Sequence, residues 1–467
     1  MKPGAELRGK KVLVVGLART GVATSLFCAA RGARVTATDL RPAAELADAP
    51  AKLSAAGVAL EAGGHRRESF LAVDLILPSP GVPFDQPDLL AARKQGIAVW
   101  SEIELAWRFL RGRLLAITGS NGKTTTTALT GHLLKTAGLS VQVGGNIGTP
   151  LISLVESSTD SSVTVVELSS FQLEAIVAFR PDISVFLNLT PDHIDRHGSL
   201  EAYAAAKARI FENQKREDAA VMNADDPASA RYVPTRPRLF WFSRKKEVAQ
   251  GAFLRGDDIF FGQGDAEARL LSRRDIPLRG LHNLENVLAA ATAALLAGAA
   301  PAAIAEGVRT FPGVEHRLQF VATVEGIEFY NDSKATNVDA TEKALEAFPG
   351  NLLIILGGKD KGSDYTPLRS LLAARARRAF LIGAAAQKIA GQIEGAVPLE
   401  MSGTLDAAVN AAYAAARPGD VVLLAPACAS FDQFENFEHR GRVFVDLVRR
   451  LAARSATRAP QSAGGQR

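Results

Sequence analysis

Leu114-Leu115-Ala116-Ile117-Thr118-Gly119-Ser120-Asn121-Gly122-Lys123-Thr124-Thr125 carries more structural information than any other run in the chain. Its apolar opening, Leu114–Thr118, reads as a buried strand, and the segment after Thr125 reads as a helix. Between them lies a loop suited to an anionic phosphate, which needs backbone N–H groups, the positive end of a helix and a nearby cation. Gly119 and Gly122 let the backbone curl around phosphate oxygens, Lys123 can reach the β- and γ-phosphates, and the Thr124 hydroxyl can hold Mg²⁺. The glycines stand closer together than in the usual G-x-x-x-x-G-K-[ST] loop, so this is a variant of it. A plain capped helix start is the competing reading, and the strand–loop–helix setting argues against it.

On both sides of this loop, short β-branched runs alternate with alanine-rich helical stretches, the pattern of parallel sheets covered by helices. A first block opens with a strand at Lys11–Val15, a helix to about Arg31 and a strand ending at Asp39. It continues through Leu75–Leu77 to a helix around Glu102–Leu110. A second block holds the strands Leu114–Thr118, Val163–Glu167 and Ile183–Asn188. A third begins near Glu315, with strands at Ile327–Tyr330, Leu352–Leu356, Ala379–Ile382 and Val421–Leu424. The expectation is an α/β protein of three domains, 1–111, 112–314 and 315–467, with a disordered tail from about residue 455.

Composition narrows the class. Of 467 residues, 47% are hydrophobic and 22% charged, which excludes wholesale disorder. The net charge of +5 is too thin over this length to argue for nucleic acid. Two distant cysteines, Cys28 and Cys428, offer neither a disulfide framework nor a zinc site and fit a reducing compartment. The opening MKPGAELRGK is polar and is not a signal peptide, so a cytoplasmic location is expected. The uncharged stretch 287–305 is mostly alanine and is interrupted by Pro301, so it reads as a buried helix and not as a membrane span.

Further clusters lie at strand ends. Gly16-Leu17-Ala18-Arg19-Thr20-Gly21 follows the opening strand like a dinucleotide fingerprint whose middle glycine is Ala18. A pyrophosphate could sit on that helix start, with Asp39 and Arg41 binding sugar or base; a tight turn that binds nothing is the alternative. Glu167 ends a strand beside the phosphate loop and reads as a Mg²⁺ ligand more readily than as a helix cap. In Asp192-His193-Ile194-Asp195-Arg196-His197, His193 could ligate metal or position a substrate carboxylate, whereas His197 reads as a surface turn residue. Asn331–Asn337 (NDSKATN), Gly357–Lys361 (GGKDK) and Ala427–Phe434 (ACASFDQF) each follow a strand. Three polar loops at strand ends of one domain suggest a face for an anionic ligand.

Together these motifs resemble the Mur ligases of peptidoglycan synthesis, from the first strand to about Leu451. The GSNGKTT loop is shared with folylpolyglutamate synthases, while NDSKATN and ACASFDQFENFEHRG resemble the D-glutamate-adding branch of the family. The resemblance implies a Rossmann-like UDP-substrate domain, a central P-loop ATPase domain with a mostly parallel sheet, and a Rossmann-like C-terminal amino-acid domain. It implies ATP-dependent amide formation between UDP-N-acetylmuramoyl-L-alanine and D-glutamate through an acyl phosphate, with Mg²⁺, in a monomer that binds neither nucleic acid nor membrane. On this reading Gly119, Ser120, Asn121, Gly122, Lys123, Thr124 and Thr125 bind ATP together with Asn283, Asn286, Arg317 and Asp332. Lys123, Glu167, His193 and Lys207 are catalytic, and Thr124, Glu167, His193 and a carbamate on Lys207 hold the metal. Thr20, Asp39, Arg41, Asn146 and His193 contact the UDP-substrate, and Lys334, Thr336, Lys361, Ser430 and Phe437 form the D-glutamate pocket.

Other classes fit less well. A folylpolyglutamate synthase predicts no UDP-binding domain before Leu114, and a nucleotide-gated switch leaves the third block's polar loops unexplained. A dehydrogenase is weakened by Ala18 and by the phosphate loop. Another amide ligase of the superfamily stays open at this point.

Overall fold

Three sheets organise the chain in a computed structural model that describes residues 6–458. The first comprises β1 (Lys11–Val15), β2 (Arg34–Asp39), β3 (Ala59–Ala62), β4 (Leu75–Pro78) and β5 (Ala98–Val99). Its strands are all parallel, in the order β3-β2-β1-β4-β5. The order reverses at β1, and ligands of open α/β sheets bind at such a switch point, beyond the carboxyl ends of the strands.

The second sheet has nine strands. They are β6 (Arg113–Thr118), β7 (Val141–Gly145), β8 (Val163–Glu167), β9 (Ile183–Phe186), β10 (Ala219–Asn223), β11 (Arg238–Ser243), β12 (Gln250–Arg255), β13 (Asp258–Gln263) and β14 (Ala266–Ser272). The order is β14-β13-β12-β11-β10-β9-β6-β8-β7, parallel except for the antiparallel run β12-β13-β14. β6 therefore lies between β9 and β8, and three loops meet at its carboxyl end.

The third sheet, β15 (Gln319–Val324), β16 (Ile327–Asn331), β17 (Leu352–Gly357), β18 (Ala376–Ile382), β19 (Leu399–Gly403) and β20 (Val421–Leu424), runs β15-β16-β20-β17-β18-β19. Only β15 is antiparallel to its neighbour. Central strands such as β8, β17 and β20 are buried along their whole length. Parallel strands covered on both faces read as continuous apolar runs for that reason.

The first two sheets lie in one compact unit that ends at Phe311, and the third lies in a second unit that begins at Pro312 and takes in Leu278–Leu281. In the first unit one continuous apolar cluster runs from Leu105, Ala106 and Leu110 to Ile152, Leu173 and Phe179. The stretch 287–305 is not one helix but parts of two, Leu281–Leu296 and Pro301–Thr310. Pro301 occupies the first helical position, where its missing N–H would have had no partner. Among the described residues no helix is long and apolar enough to cross a membrane. Residues 455–458 belong to the helix Phe437–Arg458, and the rest of the expected tail lies outside the described residues.

Gly112 turns the chain out of the helix Glu102–Phe109 into β6 at φ +72°, and a Cβ there would stand 2.2 Å from the Ser162 carbonyl oxygen and 2.5 Å from that of Thr159. Gly112→Ala combines left-handed strain, about 1–3 kcal/mol, with a backbone clash. It is expected to lower the thermal unfolding midpoint clearly, and an unchanged midpoint in a calorimetric scan would show that the turn can relax.

Candidate active site

The phosphate loop is shaped by what lies against it. Gly119 (φ +149°) presses on β9's exit, where a Cβ would come 2.8 Å from Leu187 Cβ. Gly122 (φ +82°) caps the helix Lys123–Thr136, and a Cβ there would meet Asn286 Oδ1 at 2.2 Å. Glycine is required at both. Ser120 Oγ donates to the Thr190 carbonyl (2.9 Å) and accepts from Thr190 N (3.0 Å) and Tyr203 Oη (3.2 Å). Asn121 N donates to Asn188 Oδ1 at 2.8 Å, and Asn121 Nδ2 to Thr190 Oγ1 at 3.1 Å. Asn286 Oδ1 accepts from Thr126 Oγ1 (3.2 Å) while its Nδ2 donates to Asn283 Oδ1 (3.0 Å), so both buried asparagines brace the loop's helix. Lys123 Nζ folds over the loop, donating to the carbonyls of Gly119 (2.9 Å) and Ser120 (2.7 Å). Thr124 is buried in the first helical turn and Thr125 half-buried beside it.

On the neighbouring strand Glu167 is 2% exposed. Its Oε1 accepts from Asn146 Nδ2 at 2.7 Å, and its backbone oxygen accepts from Asn146 N at 2.9 Å. Its Oε2 is buried without a hydrogen-bond partner. A buried carboxylate oxygen lacking a donor is costly, and a hard cation offsets that cost. The residues thus fit Mg²⁺, although among the described residues no cluster of three His, Cys, Asp or Glu could hold a metal unaided.

Lys207, on the helix Leu200–Ala208, is 1% exposed and donates to the Gly119 carbonyl at 2.8 Å, with its Nζ 4.5 Å from the Tyr203 ring centroid. Burial above all, and then the Lys123 charge, push its pKa down to about 6. The amine is therefore mostly neutral at neutral pH. His193 sits in left-handed backbone (φ +52°), half exposed, with its ring 5.0 Å from Phe171 and 6.4 Å from Tyr203. His197 corrects the expectation of a surface turn. Its side chain is 4% exposed, stacked on Phe171 at 5.3 Å and bonded through Nε2 to Ser170 Oγ at 2.9 Å.

At the first sheet's switch point, a Cβ on Gly21 would fall 1.9 Å from the Gly16 carbonyl oxygen, so the helix Arg19–Ala30 starts directly against the turn, with Thr20 in its first turn. Ala18 adopts ordinary extended backbone (φ −72°) and points to solvent, which is why alanine is tolerated there. Asp39 ties this turn down by accepting from Leu17 N (2.7 Å) and takes Arg41 on both oxygens (Nε 3.1 Å, Nη2 2.9 Å). Burial raises the Asp39 pKa, but the Arg41 and Leu17 hydrogen bonds outweigh it and hold the acid at about 2.

In the second unit, β16, β20 and β17 are neighbours, so NDSKATN, ACASFDQF and GGKDK leave one edge side by side. Arg440, 1% exposed, joins two of them: Nε donates to Ser333 Oγ (2.9 Å), Nη2 to the Ser333 carbonyl (2.8 Å) and Nη1 to the Cys428 carbonyl (3.2 Å). Lys359 N joins the third by donating to the Ala429 carbonyl at 2.8 Å. Lys334 Nζ stands 5.0 Å from the Phe437 ring centroid, and Thr336 N donates to the Lys334 carbonyl. Ser430 is buried in the middle loop and Lys361 exposed in the outer one. Asp332 is pushed up to about 7 by burial, opposed by the Arg317 charge and the Leu318 N–H. Sequence reasoning gave no role to Asn188, Thr190, Tyr203 or Arg440. Asn188 at the end of an expected strand and the arginine inside the longest motif were the available signals.

A glycine-lysine loop between strand and helix, a buried acid beside it and a separate unit with a polar strand-end face suit an ATP-dependent ligase of the kind the sequence resembled, and the chain belongs to the Mur ligase family. Three family models match it: the Mur ligase MurD-like N-terminal domain over 10–101, the Mur ligase middle domain over 117–294 and the Mur ligase glutamate ligase domain over 316–428. The chain is 57% identical to the UDP-N-acetylmuramoylalanine--D-glutamate ligase of Acidobacterium capsulatum, over 97% of this chain and 98% of that protein. It is 52% identical to the enzyme of the same name from Koribacter versatilis, over 96% and 99%. Among solved structures, the UDP-N-acetylmuramate-alanine ligase of Thermotoga maritima superposes with a TM-score of 0.59 at 20% identity, covering 94% of this chain and 99% of that one. The MurF ligase of Thermotoga maritima, solved with ADP, gives 0.59 at 17% identity over 97% of each chain. These two share the fold.

Lys207 carries a pH signature. Its native pKa lies well below that of an unfolded lysine, so between about pH 6 and pH 10 the unfolded chain binds a proton that the native one does not. Stability from this group therefore rises with pH across that window. In CO₂-depleted buffer Lys207→Met is expected to flatten the rise seen in denaturant unfolding, and an identical slope in both proteins would place Lys207 in solvent.

Proposed function

We propose that this chain is an ADP-forming ligase that joins D-glutamate to UDP-N-acetylmuramoyl-L-alanine in the cytoplasm, acting as a monomer. Residues 1–111 bind the UDP-substrate, 112–314 bind ATP and 315–467 bind D-glutamate. The buried, donorless Glu167 Oε2 beside the glycine-lysine loop carries this reading, because it suits a cation next to bound phosphates.

The chemistry joins two anions, so positioning and charge neutralisation dominate. Lys123 Nζ exchanges the Gly119 and Ser120 carbonyls for phosphate oxygens, while loop N–H groups and the helix start hold the rest of the triphosphate. The lactyl-alanine carboxylate attacks the γ-phosphorus, the bond to ADP breaks, and an acyl phosphate forms. The D-glutamate amine then attacks the acyl carbon, loses a proton and displaces phosphate. Asn146 and His193 orient the muramoyl substrate, Thr20, Asp39 and Arg41 hold its UDP end, and Asn283, Asn286, Arg317 and Asp332 support the nucleotide. Lys334, Thr336, Lys361, Ser430 and Phe437 receive D-glutamate. Mg²⁺, when bound, would be held by Thr124, Glu167, His193 and a carbamate on Lys207, and neutralises phosphate charge there. The neutral Lys207 amine supports the carbamate: its nitrogen adds to CO₂, an N–C bond forms and a proton leaves.

Phosphate release should require ATP, UDP-N-acetylmuramoyl-L-alanine and D-glutamate together, with L-glutamate poor and Lys123→Ala down by about 10²–10³-fold. Equal turnover with meso-diaminopimelate or L-lysine would refute the assignment. Lys207→Ala is expected to lose activity and to regain part of it when acetate or formate fills the vacated anion site. Full activity without such acids would exclude the carbamate.

A further inference from the structure

The helix Glu102–Phe109 begins with Ser101 as its cap and two acids in its first turn, an arrangement that usually serves only the helix's own N-terminus. Here both acids are buried, Glu102 at 3% and Glu104 at 0% exposure, and both bond to other segments. Glu104 Oε2 accepts from three consecutive N–H groups, those of Val177 (2.9 Å), Ala178 (3.0 Å) and Phe179 (2.7 Å). Its Oε1 accepts from Arg108 Nε at 2.8 Å. Ser101 N donates to the Ala175 carbonyl and Trp107 Nε1 to that of Arg180, each at 2.9 Å. Glu104 is thus a fully satisfied anchor that docks the helix on the segment leading into β9.

Glu102 is different. Its Oε1 accepts from Ile152 N at 2.6 Å, and its Oε2 is buried without a partner. Ile152 lies in the short turn Leu151–Leu154, immediately after the loop 146–150 that leaves β7. Asn146 holds the near end of that loop to β8, its N on the Glu167 carbonyl (2.9 Å) and its Nδ2 on Glu167 Oε1 (2.7 Å), and Gly145 N on the Thr149 carbonyl (2.8 Å) closes the loop across its base. Glu102 holds the turn that follows its far end. The loop is short and closed, with Gly148 in left-handed backbone (φ +60°), so a displacement at Ile152 is passed through Thr149 to Gly145 and to the Asn146 that follows it.

We propose that Glu102 is a positioning residue: by accepting from Ile152 N it sets the loop 146–150, and with it the Asn146 amide, for the muramoyl end of the UDP-substrate. This rests on the reading above that Asn146 contacts that substrate. What Glu102 supplies to this contact is one acceptor oxygen. Burial pushes its pKa up to about 7, with the Ile152 N–H alone opposing, and its second oxygen bonds to nothing.

The test is steady-state kinetics on the full chain with UDP-N-acetylmuramoyl-L-alanine, ATP and D-glutamate. Glu102→Ala is expected to raise KM for the UDP-substrate by about tenfold, the scale of one lost buried hydrogen bond, with KM for ATP within about twofold of wild type against the same scale. Glu102→Gln, which keeps the acceptor, should bring KM for the UDP-substrate most of the way back. Asn146→Ala should raise the same KM. If the Ala variant fails to fold, Glu102→Asp, one methylene short of Ile152 N, takes its place. A raised KM in Asn146→Ala with an unchanged KM in the Glu102 variants would overturn the positioning role and leave the site reading intact. An unchanged KM in Asn146→Ala would remove that reading and the inference with it. A Gln variant as impaired as the Ala variant would overturn the acceptor role.

Discussion

The carbonyl oxygen of Gly119 accepts from two lysines, Lys123 at 2.9 Å and Lys207 at 2.8 Å. The more deeply buried of the two, Lys207, is pushed toward its neutral form by burial above all and then by the Lys123 charge. That division of labour follows from the left-handed Gly119, which turns its carbonyl toward both lysines while its Cα presses on Leu187. Lys123 stands half-buried at the start of the loop's helix. The other becomes a nucleophilic amine in a closed pocket. Ser120, Thr190 and Tyr203 hold the backbone that makes this possible.

Topology supplies the setting. β6 has β9 on one side and β8 on the other, so the loops carrying Lys123, Glu167 and His193 converge without any long excursion of the chain. The third sheet repeats the principle in its own unit, where β16, β20 and β17 deliver three polar loops to one edge. In both cases the strands are sealed on two faces, and chemistry is left to the loops beyond their ends.

Much of this was legible from residues alone because phosphate binding imposes a narrow local grammar. The two glycines, the lysine and the flanking strand and helix could be read without any long-range contact, as could Glu167 at a strand end. What escaped the reading depends on partners far away in sequence. Lys207, singled out only by the family resemblance, sits in the run YAAAKA, which by itself gives no sign that Gly119 and Tyr203 enclose it. His197 read as a turn residue because its burial is produced by Phe171 and Ser170, well upstream. Glu102 and Glu104 drew no notice beyond the helix they open, since a first-turn acid and an anchor to another segment are the same letter. The apolar run around Pro301 hid a helix boundary that composition blurs and proline geometry reveals.

Arg440 ties two strand-end loops of the second unit through carbonyl and hydroxyl oxygens, and burial lowers its pKa to about 10 without removing its charge at neutral pH. A guanidinium held in this way binds main chain to main chain, so the loops bearing Lys334 and Ser430 lose their freedom when the protein folds and not when a ligand arrives. Little ordering entropy then remains to oppose binding. On the proposed reading, in which these loops receive the amino acid, a molecule of the wrong handedness would meet walls that cannot rearrange around it, and stereochemical discrimination would arise from stiffness as much as from any single contact.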